Sequence, residues 1–598
     1  MVAAVIGGML LAAATSVPPI QITRAAGAIT IDGDLNDPGW KNAASVDRFY
    51  ELTPGDNTPP KVNTIAYVTY DDRFFYVAIR CDDPDPRNIR AHYVERDHVY
   101  SDQDFAGIML DTKNDGRTGT EFFVNPYGLV DDCARDESAV SGNSEDFSPD
   151  FYWDAAAKIT ATGWQMEMRI PFSTLRYSNE DPQTWGIIFF RNWNRDFRYQ
   201  IASNPSPRES NCFACYELKI AGLTGLPHGA HLVAAPYVTA TEKGVVRNGI
   251  AGNPYVNQPA RGNAGLDMKY VPNENTAFDA TVNPDFSQVE SDVTQISADA
   301  RFAIFYPEKR PFFMEQSQLF NLPIQAVYTR TITSPRYGVR ATGEFGSNAY
   351  TVLAGEDRGG GTVLLPGPSS SSAAPQDFRS SFAIARMQHA FAGRSFASFL
   401  VTDREISGGG YNRVFGPDFQ WTPNDTNQIV GQALMSMTET PVRPDLAPEW
   451  TGSSSNSHAL YFTWNHSAYH WNWSATLRDL GNAFRADDGF VPQVGIRESV
   501  GQLAYTFYTK GFLSRVTPVM FADYVTDSSG NTVTRVFEPG VSWQGKLGMN
   551  GEIDYNARDV ERAGPYLIRD DRWHFRLSLT PPGRLSSISI SGQTGRSI

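Results

Sequence analysis

The sequence predicts an all-β chain in two unlike halves. An N-terminal antiparallel β-sandwich is followed by an antiparallel transmembrane β-barrel with a short helical or irregular insertion. Three observations predict this. The first 225 residues carry short apolar runs separated by Asp/Asn/Gly/Pro turns, the pattern of an antiparallel sandwich. From about residue 228 the runs lengthen to roughly ten residues and alternate apolar with polar, as a membrane barrel requires. Between the first strands of the second half and the rest lies Asn283–Phe320, where aromatics crowd against Asp, Glu, Lys and Arg.

At 598 residues the chain exceeds one ordinary core. A net charge of −15 argues against nucleic acid and against a polybasic membrane-surface binder. Residues 1–16 read as a signal peptide: Val2–Ala14 is apolar and small and ends on Ala12-Ala13-Ala14, without a preceding Lys or Arg. No other run approaches the roughly 18 apolar residues of a membrane helix. Four cysteines, Cys81, Cys133, Cys212 and Cys215, all fall in the first 215 residues. An even number in an exported chain suggests disulfides, with three pairings open. Cys212-Phe-Ala-Cys215 has no neighbouring His and reads as a local disulfide rather than half a zinc site.

The sandwich is assigned to residues 20–225. Residues 29–40 (ITIDGDLNDPGW) run from a strand into a turn and a large aromatic. Thr64–Tyr70 and Phe74–Arg80 flank the turn Asp71-Asp72, and Phe105–Leu110 and Thr120–Val124 flank Lys113–Gly116. Trp164–Ile170 and Trp185–Arg191 complete the strands. The motifs IDGDLNDPGW, DDRFFYVAIRCDDPDP, LDTKNDGRTGTEFFVNPYG and GWQMEMRIPFSTLRY, in this order, resemble carbohydrate-binding module family 9. The resemblance implies a β-sandwich that binds sugars and often carries structural calcium.

Flat aromatic rings stack on the apolar faces of sugars at small entropic cost. Trp153, Trp193 and Tyr152, in loop or strand-end contexts, are therefore the candidate carbohydrate-binding residues, while Trp40, Trp164 and Trp185 read as core. Asp111, Asn114 and Asp115 place oxygen donors in one turn and are the candidate ligands for structural Ca²⁺. A hydrogen-bonded Asx turn is the alternative.

The barrel is assigned to residues 228–598. Leu460, Phe462 and Trp464 alternate with Tyr461, Thr463 and Asn465; Trp471, Trp473, Ala475 and Leu477 alternate with polar neighbours; Val541–Asn550 alternates throughout. A sheet in lipid must close on itself, because every backbone group needs a partner. Thr526–Thr534 reads as a tight hairpin and Arg358–Asp377 as a long loop, so short turns mark one end and long loops the other. The chain finishes Gly595-Arg596-Ser597-Ile598 rather than on an aromatic, which reads as a missing final strand or a fragment of a longer chain and leaves strand number and closure open.

Asn263–Val282 reads as a hairpin stopped by Pro284. Val293, Ile296, Ala300 and Ala303 have helical spacing up to Pro307, and Pro311 is expected to keep the next segment extended. NPDFSQVESD followed by FYPEKRPFFMEQ, with GLDMKYVPNENTAFDATVNPDF before and VYTRTI after, resembles the family called domain of unknown function 5916. The resemblance implies a family-9-type domain joined to an outer-membrane barrel. Glu290, Glu308 and Glu315 could supply a carboxylate pair for glycoside hydrolysis. Arg301, Lys309 and Arg310 in the same segment favour ion pairing in a lumen or plug, and no catalytic residue is assigned. The expected role is glycan capture or uptake at a Gram-negative outer membrane, with an oligo- or polysaccharide and membrane lipid as partners. An exported glycoside hydrolase of carbohydrate catabolism and a structural anchor without sugar binding are the alternatives.

Overall fold

The computed structural model describes residues 18–99, 101–138, 144–147, 149–227, 231–242, 244–246, 254–273, 275–286, 302–581 and 587–596. Among them the chain is all-β, with a two-sheet N-terminal part and one large C-terminal sheet. The sandwich comprises a sheet built on Phe105–Asp111, Thr118–Val124, Val130–Asp136 and Gln183–Asn194, packed on a second sheet of Ala44–Val46, Thr64–Tyr70, Phe74–Asp82, Asp154–Thr160 and Gly163–Pro171. Alternate residues point into one core that includes Val68, Val77, Ile108, Phe122, Trp164 and Trp185.

The IDGD turn has a specific anchor. Glu167 is fully buried and accepts from Trp40 Nε1 at 2.7 Å, Gly33 N at 3.0 Å and Asp32 N at 3.2 Å. Strand alternation alone puts Glu167 on a polar outer face; the turn folds over it. Cys212 and Cys215 form the expected local disulfide. Cys81 and Cys133 are buried free thiols, so the even cysteine count does not mean complete pairing.

The large sheet contains nineteen strand segments among the described residues, ordered from His231–Thr241 to Ile588–Arg596, each antiparallel to its neighbours. Its polarity is inverted relative to a soluble sheet. On Tyr411–Asn424, Phe415, Phe419 and Trp421 face outward, whereas Asn412, Asp418 and Gln420 are buried. Leu460, Phe462 and Trp464 likewise face outward, and Tyr461 packs inward. The predicted alternation was therefore correct, with the apolar set outside. No pairing joins the two end strands among the described residues, where a closed sheet was predicted.

Three local expectations change. Val541–Asn550 is not one strand: Thr532–Gly545 turns at Leu547 and Gly548, both at positive φ, into Met549–Tyr555. Leu547 continues the apolar alternation through the turn, which hid it. The Arg358–Asp377 loop holds its own hairpin, Thr362–Pro366 with Ser371–Pro375. Pro311 opens the short helix Pro311–Met314, where its missing N–H is harmless, instead of keeping the chain extended. The helical spacing at 293–303 falls almost wholly outside the described residues. The hairpin Arg261–Asn273 with Thr276–Val282 is as predicted.

Residues 302–334 fold against the inner face of the sheet. Phe313, Phe320, Leu322, Ile324 and Val327 pack with the inward Leu353, Ile384, Leu400 and Val414. Buried side chains hold this segment, which was expected to be plug-like or a joint, against the sheet. Arg340 donates to Phe313 O at 2.7 Å, Gln432 accepts from Ile324 N at 2.8 Å, and Arg386 links Leu319 O to Asp418. The plug leaves and re-enters the sheet between Val282 and Pro335, at the end bearing the long connections.

Candidate ligand-binding face of the sandwich

The expected sugar-stacking residues separate. Trp153 and Trp193 are 5% and 6% exposed. Trp153 Nε1 donates to Asp132 at 2.8 Å, and the ring meets Phe122 edge-on at 5.0 Å. Trp193 Nε1 donates to Asp83 at 2.9 Å, with Tyr199 at 4.9 Å and Arg195 over its ring. Both indoles complete the core margin and present no open face. Their strand-end sequence context concealed this, because the polar partners that bury them come from distant segments. Tyr152, next to Trp153, is 75% exposed and remains open.

A second open aromatic surface was not anticipated. Tyr93 and Tyr127, 82% and 43% exposed, stack with ring centroids 4.7 Å apart and planes 13° apart. Asn125 builds the pair. Its Oδ1 accepts from Tyr127 N at 2.9 Å and Leu129 N at 3.1 Å, closing an Asx turn around Gly128 at φ +79°. Its Nδ2 donates to His92 O and Gln103 Oε1, both at 3.0 Å, fastening the loop that carries Tyr93. The Asn-Pro-Tyr-Gly string was a visible turn signal; its partner 34 positions earlier was not.

Polar groups tie the Tyr93 loop to the strand Val130–Asp136 that follows Tyr127. Arg96 pairs with Asp132 and, at 3.2 Å, with Asp150, and donates to Phe151 O at 2.8 Å. Asp97, at positive φ, accepts from Asp132 N at 3.1 Å. Asp131 accepts from Val99 N at 3.2 Å, and its Oδ1 is buried without a hydrogen-bond partner. Burial, reinforced by Asp97, pushes the Asp131 carboxyl up to about 7; burial also pushes Asp97 up to about 6. Asp131 and Asp132 are buried and hold the loop in place, so the groups this set leaves open are the Arg96 guanidinium and the Asp150 carboxylate. An open stacked ring pair offers a flat apolar face of the kind that packs on a sugar ring.

The candidate calcium turn has a different chemistry. Asp111 accepts from Lys113 N at 3.0 Å and Gly116 N at 2.7 Å. Asp115 accepts from Arg117 N and Thr118 N, both at 2.8 Å. Asn114 Oδ1 and Glu217 both accept from the Lys219 ammonium. Burial, reinforced by the adjoining Asp111, raises Glu217 to about 8, and burial likewise raises Asp111. Among the described residues no three His, Cys, Asp or Glu side chains are arranged for a metal. The residues present fit an Asx turn closed by lysine.

Of the candidate catalytic carboxylates, Glu290 lies outside the described residues. Glu308 pairs with Arg310 at 2.6 Å and accepts from Thr329 Oγ1 at 2.6 Å. Glu315 pairs with Arg176 at 2.5 Å and with Lys269. Each is a structural tie of the plug. A polar cavity of about 320 Å³, bordered by Lys113, Arg117, Arg176, Gln316 and Glu344, opens where sandwich, plug and large sheet meet.

Residues 31–200 match the family described as carbohydrate family 9 binding domain-like, and residues 231–344 match a domain of unknown function, DUF5916. These are the two resemblances carried by the motifs, in the same order. No functionally curated protein matches the chain. Among solved structures, one described as a candidate carbohydrate-binding protein from Bacteroides uniformis aligns over 34% of this chain and 98% of its own, at 11% identity and TM-score 0.27. Pseudomonas aeruginosa OccK5 (OpdH) aligns over 82% and 97%, at 9% identity and TM-score 0.27. Acinetobacter baumannii OccAB3 aligns over 82% and 98%, at 8% identity and TM-score 0.27. At those scores the alignments carry no argument.

Proposed function

We propose that this chain is an outer-membrane β-barrel protein whose N-terminal sandwich captures a glycan, with the plugged barrel as its membrane anchor and the route for uptake. The observation that carries the membrane reading is the inverted large sheet. Phe399, Phe415, Phe419, Trp421, Leu460 and Phe462 are outside, while Arg340, Arg386, Arg404, Asp418 and Gln432 are inside. In water such an arrangement exposes apolar surface and buries charge, both unfavourable. In a bilayer the same arrangement satisfies both. Among the described residues no helix is long and apolar enough to cross a membrane. The family-9-like match and the open Tyr93–Tyr127 face support carbohydrate as the ligand class.

The test combines two measurements on the full chain. Membrane fractionation followed by a gel of boiled and unboiled samples should give outer-membrane recovery and a faster-migrating unboiled band. A panel of oligosaccharides should include at least one ligand whose binding weakens in Tyr93→Ala and Tyr127→Ala. Recovery as a soluble protein without a heat-dependent band would overturn the barrel. Silence across the panel by a folded protein would favour the anchor reading.

A further inference from the structure

The large sheet has two unlike ends. At one end, strands are joined by tight turns after Asn273, Phe345, Ala392, Asn424, Ser467 and Gly545. At the other lie the connections 358–379, 440–453 and 481–495, the entry and exit of the plug, and the shorter turns 407–410 and 528–531, so the Thr526–Thr534 hairpin shares an end with the Arg358–Asp377 loop where the sequence predicted opposite ends. The sandwich is seated on the tight-turn end. Lys113 pairs with Glu344 at 2.5 Å, Arg394 donates to Asn211 at 2.7 Å, and Tyr216 donates to Asp425 at 2.7 Å. Leu547 N donates to Asp196 O at 2.6 Å, and Arg208 lies 4.0 Å over the Tyr508 ring. These contacts are spread from strand to strand around the rim. The plug reaches the same junction from the opposite end, where Glu315 meets Arg176.

In outer-membrane barrels the short turns face the periplasm and the long loops face outward. We infer that the sandwich caps the periplasmic mouth, so that its Tyr93–Tyr127 face meets glycan that has reached the periplasm and not glycan at the cell surface. This rests on the barrel reading. Tyr93 and Tyr152 remain largely exposed with the sandwich seated, so the rim does not cover them. The Cys212–Cys215 disulfide accords with an oxidising compartment.

The test is labelling of intact cells with a polyethylene-glycol maleimide too large for porins. Tyr152→Cys reports the sandwich and Ser529→Cys the opposite end; both positions are exposed, and the native free thiols Cys81 and Cys133 are buried. The expected result is a gel shift of Ser529→Cys in intact cells and of Tyr152→Cys after the outer membrane is permeabilised. Tyr152→Cys shifting in intact cells, in a protein recovered from the outer membrane, overturns the periplasmic placement alone. Recovery of the chain in the soluble fraction overturns the barrel reading and this inference with it.

Discussion

Residues of one chemical type divide here by what surrounds them. Trp153 and Tyr152 are neighbours in sequence, yet one is core and the other open. Trp153→Ala and Trp193→Ala should each cost about 3–5 kcal/mol of stability, read as a lower melting temperature. Tyr93→Ala or Tyr127→Ala should leave melting unchanged and weaken glycan binding roughly two- to tenfold. Asn125→Ala should reach the same binding loss through the turn it closes. The acidic cluster predicts a pH response. Asp131 and Asp97 sit near 7 and 6 when folded, above the roughly 3.9 of an unfolded aspartate. The folded chain holds these protons more tightly, so their contribution to stability is full below about pH 4 and lost as pH rises through 6 to 7. Thermal melts of the full chain in detergent should fall less across that window in Asp131→Asn than in the parent; equal slopes would remove Asp131 from the account.

Elements were legible where periodicity is local. The alternation at 460–465 and the hairpin 261–282 needed no tertiary knowledge. The turn at Leu547–Gly548 was missed because an apolar residue stands where alternation expects one. The strands also predict which faces tolerate change. Phe415→Arg, on the outer face near mid-strand, should destabilise the inserted protein by about 2–4 kcal/mol. Arg404 bridges Asp357 at 3.4 Å and Asp488 at 3.3 Å, all three buried. Arg404→Ala strands two buried carboxylates and should cost about 3–5 kcal/mol. Both losses should appear as a lower temperature at which the unboiled gel band disappears.

Across the whole molecule, sandwich, plug and rim form one assembly. Asp196→Cys with Leu547→Cys, joined in the parent by a backbone hydrogen bond, should cross-link without reductant while the sandwich is seated. A missing cross-link in membrane-recovered protein would mean that the cap is not held there. The sequence by itself determined the two-part all-β order, the longer alternating strands of the second half, the local disulfide and the alternation within those strands. These follow from neighbours a few positions apart, where covalent spacing fixes geometry. The tertiary structure alone decided that Glu308 pairs with Arg310 and Glu315 with Arg176 and Lys269, that Lys219 bonds Asn114 and Glu217, and that Tyr93 and Tyr127 form the open pair. It also decided on which rim the sandwich rests. Each of these joins groups far apart in the chain, and no periodic pattern encodes which distant partner buries or neutralises a side chain.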